Sequence, residues 1–182
     1  MSAGGSRLPA GWSRTGPYPP PARFLRLSQL RKLRGCEQVA AVCYRVRGGA
    51  IEFLLVQTRG GRWIFPKGSA EAGLTNAQAA ALEAFEEAGV HGRIEEAPFA
   101  RYIRRKNGDS RADNAFEVTT HAYLCSVSRL DAPQEADRNP TWLSPEKAKR
   151  RLKEDRGSEF GNELSRVVDR AVSRIHQLHR GI

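Results

Sequence analysis

Two periods of apolar residues divide this chain, one suited to strands and one to helices. Val39 to Tyr44 is a run of small and β-branched apolar residues, which predicts a largely buried strand over 38–46. Gly48 and Gly49 turn the chain, and Phe53-Leu54-Leu55-Val56 predicts a second strand over 51–57, so the pair makes a hairpin. Gly60 and Gly61 break it, and Trp63-Ile64-Phe65 is a short apolar segment that ends at Pro66. A helix is predicted over 75–88. Thr75 and Gln78 have the spacing of a capping box, in which each side chain satisfies an orphan N–H at the helix start. Ala77, Ala80, Ala81, Ala84, Phe85 and Ala88 all suit a helix and most suit its buried side, and Gly89 supplies the left-handed stop.

Strands are predicted next over 99–106 and 115–127, joined by a polar turn at 107–110. Residues 128–140 are expected to form a loop. A short strand at Trp142-Leu143 leads into a helix with Ser144 as N-cap, Pro145 in its first turn and Glu146 beside the positive end of the dipole. In the last helix, 159–179, Phe160, Leu164, Val167, Val168, Ala171, Val172, Ile175 and Leu178 form one apolar stripe. Strands around a central helix, followed by two terminal helices, predict an α/β sandwich.

At 182 residues the chain suits one domain with a sizeable core. Charge changes the picture more than length does. The formal net charge is +10, which favours polyanionic partners. Seven basic residues and no acidic one precede Glu37, alongside a proline run after Tyr18. Residues 1–35 are therefore expected to be a basic, partly ordered extension, with the folded domain over 36–182. No run of about 18 apolar residues could span a bilayer, and no secretory signal opens the chain, so a cytoplasmic protein is expected. Cys36, Cys43 and Cys125 lack metal-ligand spacing and suit reduced thiols.

The chemistry centres on Glu83, Glu86 and Glu87. Positions i, i+3 and i+4 of a helix share one face, so three carboxylates repel one another there unless a cation neutralises them. An acidic helix face is commonly just solvated. Here, however, the acids sit near the negative end of the dipole and follow a loop, Phe65-Pro66-Lys67-Gly68, that can bring backbone groups and an ammonium to them. Hard oxygen donors on a rigid element suit Mg²⁺ or Mn²⁺.

Gly68, followed by Glu83, Glu86, Glu87, Gly89 and Val90 at ungapped spacing, resembles the Nudix box: Gly, five residues, Glu, seven residues, then Arg-Glu-apolar-x-Glu-Glu-x-Gly-apolar. The resemblance extends over roughly residues 37–178. It implies an α/β/α sandwich with a mixed β-sheet and a catalytic loop-helix-loop. Within the family, Val39 to Tyr44, Arg62 to Pro66 and Glu86 to Val90 look most like the diphosphoinositol polyphosphate and diadenosine polyphosphate phosphohydrolases. Two box positions depart: Leu74 stands where the family has its early Glu, and Leu82 where it has Arg. Exchanging both members of an ion pair for apolar residues can be neutral, so the two leucines are expected to form a compensated pair.

The resemblance implies Mg²⁺, with Mn²⁺ as the alternative, held by Glu83, Glu86, Glu87 and the Gly68 carbonyl. Glu86 or Glu87 would be the general base, and Glu135, ahead of Asp137, a further metal ligand from the loop before Trp142. Lys67, Thr58 and Arg59 are candidate substrate contacts, as are Arg101, Arg104 and Arg105, which crowd one strand with Lys106 and Arg111. Strand alternation prevents all of them from reaching one pocket. The expected activity is hydrolysis of a phosphoanhydride bond in a polyphosphorylated small molecule, of the diphosphoinositol polyphosphate or dinucleoside polyphosphate type. Simpler nucleoside diphosphate derivatives are the alternative substrates. A nucleotide- or RNA-binding module is a third possibility, disfavoured because a polyanion binder has no use for repelling carboxylates. No membrane partner is expected, and oligomeric state is left open.

Overall fold

The computed structural model describes residues 37–106 and 116–180. The basic extension 1–35, Cys36, the turn 107–110 and Arg111 lie outside the described residues.

Two long strands form the spine. β1 (Glu37–Arg47) and β7 (Phe116–Leu130) run parallel, with Val39 opposite His121 and Cys43 opposite Cys125. Each is long enough to serve different partners at its two ends. Toward one end β1 pairs antiparallel with β4 (Lys67–Ser69), and β7 with β6 (Ala100–Lys106). Toward the other end β1 pairs with β2 (Ala50–Gln57), and β7 with β5 (Val90–Ile94). β3 (Trp63–Ile64) and β8 (Thr141–Leu143) both add to β2. The result is the mixed sheet expected, sandwiched between helices.

Alternation along β1 divides the core in two. Ala40, Val42 and Tyr44 face α2 (Pro145–Lys153) and α3 (Ser158–Arg180), meeting Leu152, Leu164, Val168 and Ile175. Val39, Ala41 and Cys43 face α1 (Asn76–Ala88) on the opposite side. The inner face of α1 is made of Ala77, Ala80, Ala84 and Ala88, all at most 5% exposed. Methyl side chains let the helix lie close to the sheet, and that closeness draws its acidic residues toward β4.

Both caps of α1 form as expected. Thr75 and Gln78 make the reciprocal capping box. Gly89 adopts φ 65°, and a Cβ there would overlap the Asp131 carbonyl, so the stop requires glycine on two counts. Three expectations change. β4 and β5 are strands that the pattern missed, because Lys67–Ser69 is too short and Val90–Ile94 too polar for a period to show. The loop expected at 128–140 begins later, since β7 continues to Leu130 to pair with β5, and it contains a 3-10 turn at Ala136–Arg138. Ser144 caps α2 by position but makes no side-chain hydrogen bond.

If alanine packing sets the height of α1, Ala84→Leu should cost on the order of 1–3 kcal/mol by overpacking. Urea unfolding measures this, and a variant as stable as the parent would mean that the helix is not held close.

Candidate active site

The carboxylates of α1 meet β4 through two features of the Pro66–Ser69 segment. Gly68 has no Cβ, and one placed there would overlap the Glu83 carboxyl group, so that carboxyl lies directly on the bare glycine. One residue earlier, the Lys67 N–H donates to Glu87 Oε2 at 3.1 Å. Glu87 is the charged residue buried most deeply in the protein's described part, at 2% exposure. The Lys67 side chain goes the other way: its Nζ donates to Gln38 Oε1 at 2.9 Å, on the face of the sheet toward α2 and α3.

The 3-10 turn docks on the same helix. The Glu135 N–H donates to the Glu86 carbonyl at 3.0 Å. Arg138 then reaches back, its Nη2 2.7 Å from Glu87 Oε1 and its Nε donating to Glu135 Oε2 at 2.6 Å. Glu135, the loop acid favoured from sequence, is thus brought to the α1 carboxylates. No described contact ties Asp137 to them. Glu86 is half-buried, and its side chain makes no hydrogen bond or ion pair among the described residues.

Crowding is visible in the acidities. Burial raises the Glu83 pKa first, and the neighbouring charges of Glu86 and Glu135 raise it further. Burial also raises that of Glu87, to about 7 from an ordinary 4.5, against the opposing pull of Arg138 and the Lys67 N–H. Both shifts follow from carboxylates gathered in a partly buried place with too little positive charge.

A cleft of about 800 Å³ opens on the Lys67 side of the sheet, between β3, β4, β6 and the two terminal helices. Thr58, Arg59, Lys67, Arg104 and Arg105, the candidate substrate contacts, line it. Arg105 is partly committed, with its Nε 3.1 Å from Glu117. Arg101 is not part of the cleft. It pairs with His121, which pairs with Val39, which pairs with Gly68, and Val39 in that row packs in the core cluster under α1. Sequence reasoning missed Arg62, Arg156 and Arg166, which also line the cleft, and Arg138. Arg62 had a signal in its place directly before the apolar Trp63 segment. Arg138 and Arg156 had none, because their roles depend on distant chain segments meeting. Of the two leucines, Leu74 is 38% exposed and belongs to neither core cluster.

A mixed sheet carrying an acidic helix behind a glycine loop, with a basic cleft beside it, defines a class of enzymes that act on phosphate groups. Residues 37–163 match the NUDIX domain, and the chain belongs to that family; it is a Nudix pyrophosphohydrolase. Solved structures with this fold include a C. elegans Ap4A hydrolase binary complex, at 20% identity and TM-score 0.55, covering 78% of this chain and 98% of that one. The NUDIX domain of Shewanella oneidensis NrtR complexed with ADP ribose aligns at 17% identity and TM-score 0.58, over 84% and 99%. The Nudix hydrolase RenU from M. smegmatis aligns at 16% and 0.52, over 75% and 86%.

Nudix hydrolases generally use divalent metals such as Mg²⁺. The donors here fit such an ion: they are carboxylate oxygens beside a glycine that leaves Glu83 room. Among the described residues no three of these acids converge on one ligand point, and the guanidinium of Arg138 is the cation bridging Glu87 and Glu135.

The raised Glu87 pKa has a definite consequence. Between pH 4.5 and about 7 the folded state keeps a proton that the unfolded state has lost, so stability falls as pH rises through that window. The loss from this group is about 3 kcal/mol. In EDTA, the wild type should melt lower at pH 8 than at pH 5, and Glu87→Gln should shrink that difference. Mg²⁺ should raise the melting temperature more at pH 8. Equal pH dependence in the two proteins would show that Glu87 carries no such shift.

Proposed function

We propose that this enzyme cleaves a phosphoanhydride bond in a small molecule dense in phosphate, of the dinucleoside polyphosphate or diphosphoinositol polyphosphate class. The observation that carries this is the cleft, where six arginines and Lys67 stand against four carboxylates, one of them paired with Arg105. A substrate with one diphosphate group has no need of so many cations, and guanidinium groups suit bidentate phosphate contacts.

Glu83, Glu86, Glu87, Glu135 and the Gly68 carbonyl would hold Mg²⁺, with Mn²⁺ as a substitute. When bound, the ion would screen phosphate charge, lower the cost of activating water and stabilise the leaving phosphate. The chain's own residues supply the remaining steps. Lys67 stands at the edge where the cleft meets β4, and its ammonium, on the cleft side, holds a substrate phosphate there. Glu86, whose carboxyl has no described partner, takes the proton from the attacking water as its oxygen bonds to phosphorus and the bridging P–O bond breaks. Glu87, pinned by the Lys67 N–H and Arg138, holds its place beside it.

The test is hydrolysis with Mg²⁺ over a panel of dinucleoside polyphosphates, inositol pyrophosphates, nucleoside diphosphate derivatives and triphosphorylated RNA. The polyphosphates should give the highest kcat/KM. Preference for a nucleoside diphosphate sugar would overturn the substrate class. Glu86→Gln and Glu87→Gln should each lower kcat by about 10²–10⁴-fold with circular dichroism unchanged. Full turnover in Glu86→Gln would remove the base assignment.

A further inference from the structure

Three of the cleft's arginines come together from separate parts of the chain. Arg156 lies in the turn between α2 and α3, and its Nη1 donates to the Leu152 carbonyl at 2.7 Å. Its Nη2 donates to the Trp63 carbonyl, which fixes the guanidinium beside Arg62, the residue just before Trp63. The same group lies 6.0 Å from the centre of the Phe160 ring, and that ring lies 6.1 Å from Tyr102. Tyr102 and Arg104 are two apart on β6 and share a face, so Arg104 completes the group.

None of the three pairs with a carboxylate among the described residues. Arg156 is half-buried, and its described hydrogen bonds go to carbonyl oxygens, which orient a guanidinium without cancelling its charge. Asp155 also lines the cleft and offsets only part of the crowding. Burial lowers the Arg156 pKa, and the charges of Arg62 and Arg104 lower it further. Like charges held together by neutral contacts cost stability unless an anion resolves them.

We infer that Arg62, Arg104 and Arg156 form an anion subsite that binds a phosphate group of the substrate other than those being cleaved. This subsite deepens the substrate assignment above and rests on it for its catalytic meaning. It lies beyond Lys67, so it engages a substrate with a further phosphate outside the reacting diphosphate. Shorter diphosphates do not reach it, and the subsite thereby selects by phosphate number and spacing.

Binding can be measured without turnover. The full chain in EDTA is titrated calorimetrically with inositol hexakisphosphate, which has six phosphomonoesters and no anhydride bond. Arg62→Gln and Arg104→Gln should each weaken binding by about tenfold or more. Arg150→Gln, an exposed position on α2 that removes the same charge, should change it by less than about twofold. Arg156→Gln should behave like the first two. If it fails to fold for want of its carbonyl contacts, the other two variants still decide the matter. Equal affinity in Arg62→Gln, Arg104→Gln and Arg150→Gln would overturn the subsite even if hydrolysis is normal. Selective loss of binding in a protein that hydrolyses none of the panel would keep the subsite and discard the substrate assignment.

Discussion

The contact on which the rest depends is the one between the α1 carboxylates and the backbone of β4. Glu83 rests on a glycine, Glu87 accepts an N–H from the next residue back, and both acids are thereby withdrawn from water. Gathering negative charge in a partly buried place is unfavourable, and the fold meets that cost locally. The alanine face of α1 secures the helix, the capping box and Gly89 fix its two ends, and Arg138 brings a positive charge from the loop before β8. Each of these would be a minor feature alone. Together they hold carboxylates whose pKa values stand above the ordinary range.

Much of this was legible in the sequence, for local reasons. The helix, its cap and its stop follow from Thr75, Gln78 and Gly89, whose partners lie within a few residues. The spacing from Gly68 to Glu87 could be read because the box is continuous in sequence. The sandwich followed from the order of elements. What escaped notice involves distant segments: β4 is three residues long and exists only because β1 accepts it, and Arg138 and Arg156 acquire meaning only when their loops dock. A guanidinium near the carboxylates comes from Arg138, far along the chain.

The cleft and the carboxylates lie on different faces of the sheet and meet at Lys67. Under the proposed function, that division separates two tasks with conflicting needs. Chemistry at an anhydride needs acids, which repel phosphate, whereas recognition needs cations, which would pair with the acids if they mixed freely. A sheet between them keeps the two sets from neutralising each other, and Arg138 is a cation placed on the acidic side.

The pleat of β4 is what joins the two tasks. Within two adjacent residues it sends a bare Cα to one face and an ammonium to the other. Losing or gaining one residue between β3 and Gly68 would reverse both directions at once, setting the long side chain against the acids and leaving the cleft without its charge. Chain length in that connection is therefore under tighter constraint than the identity of most side chains along it.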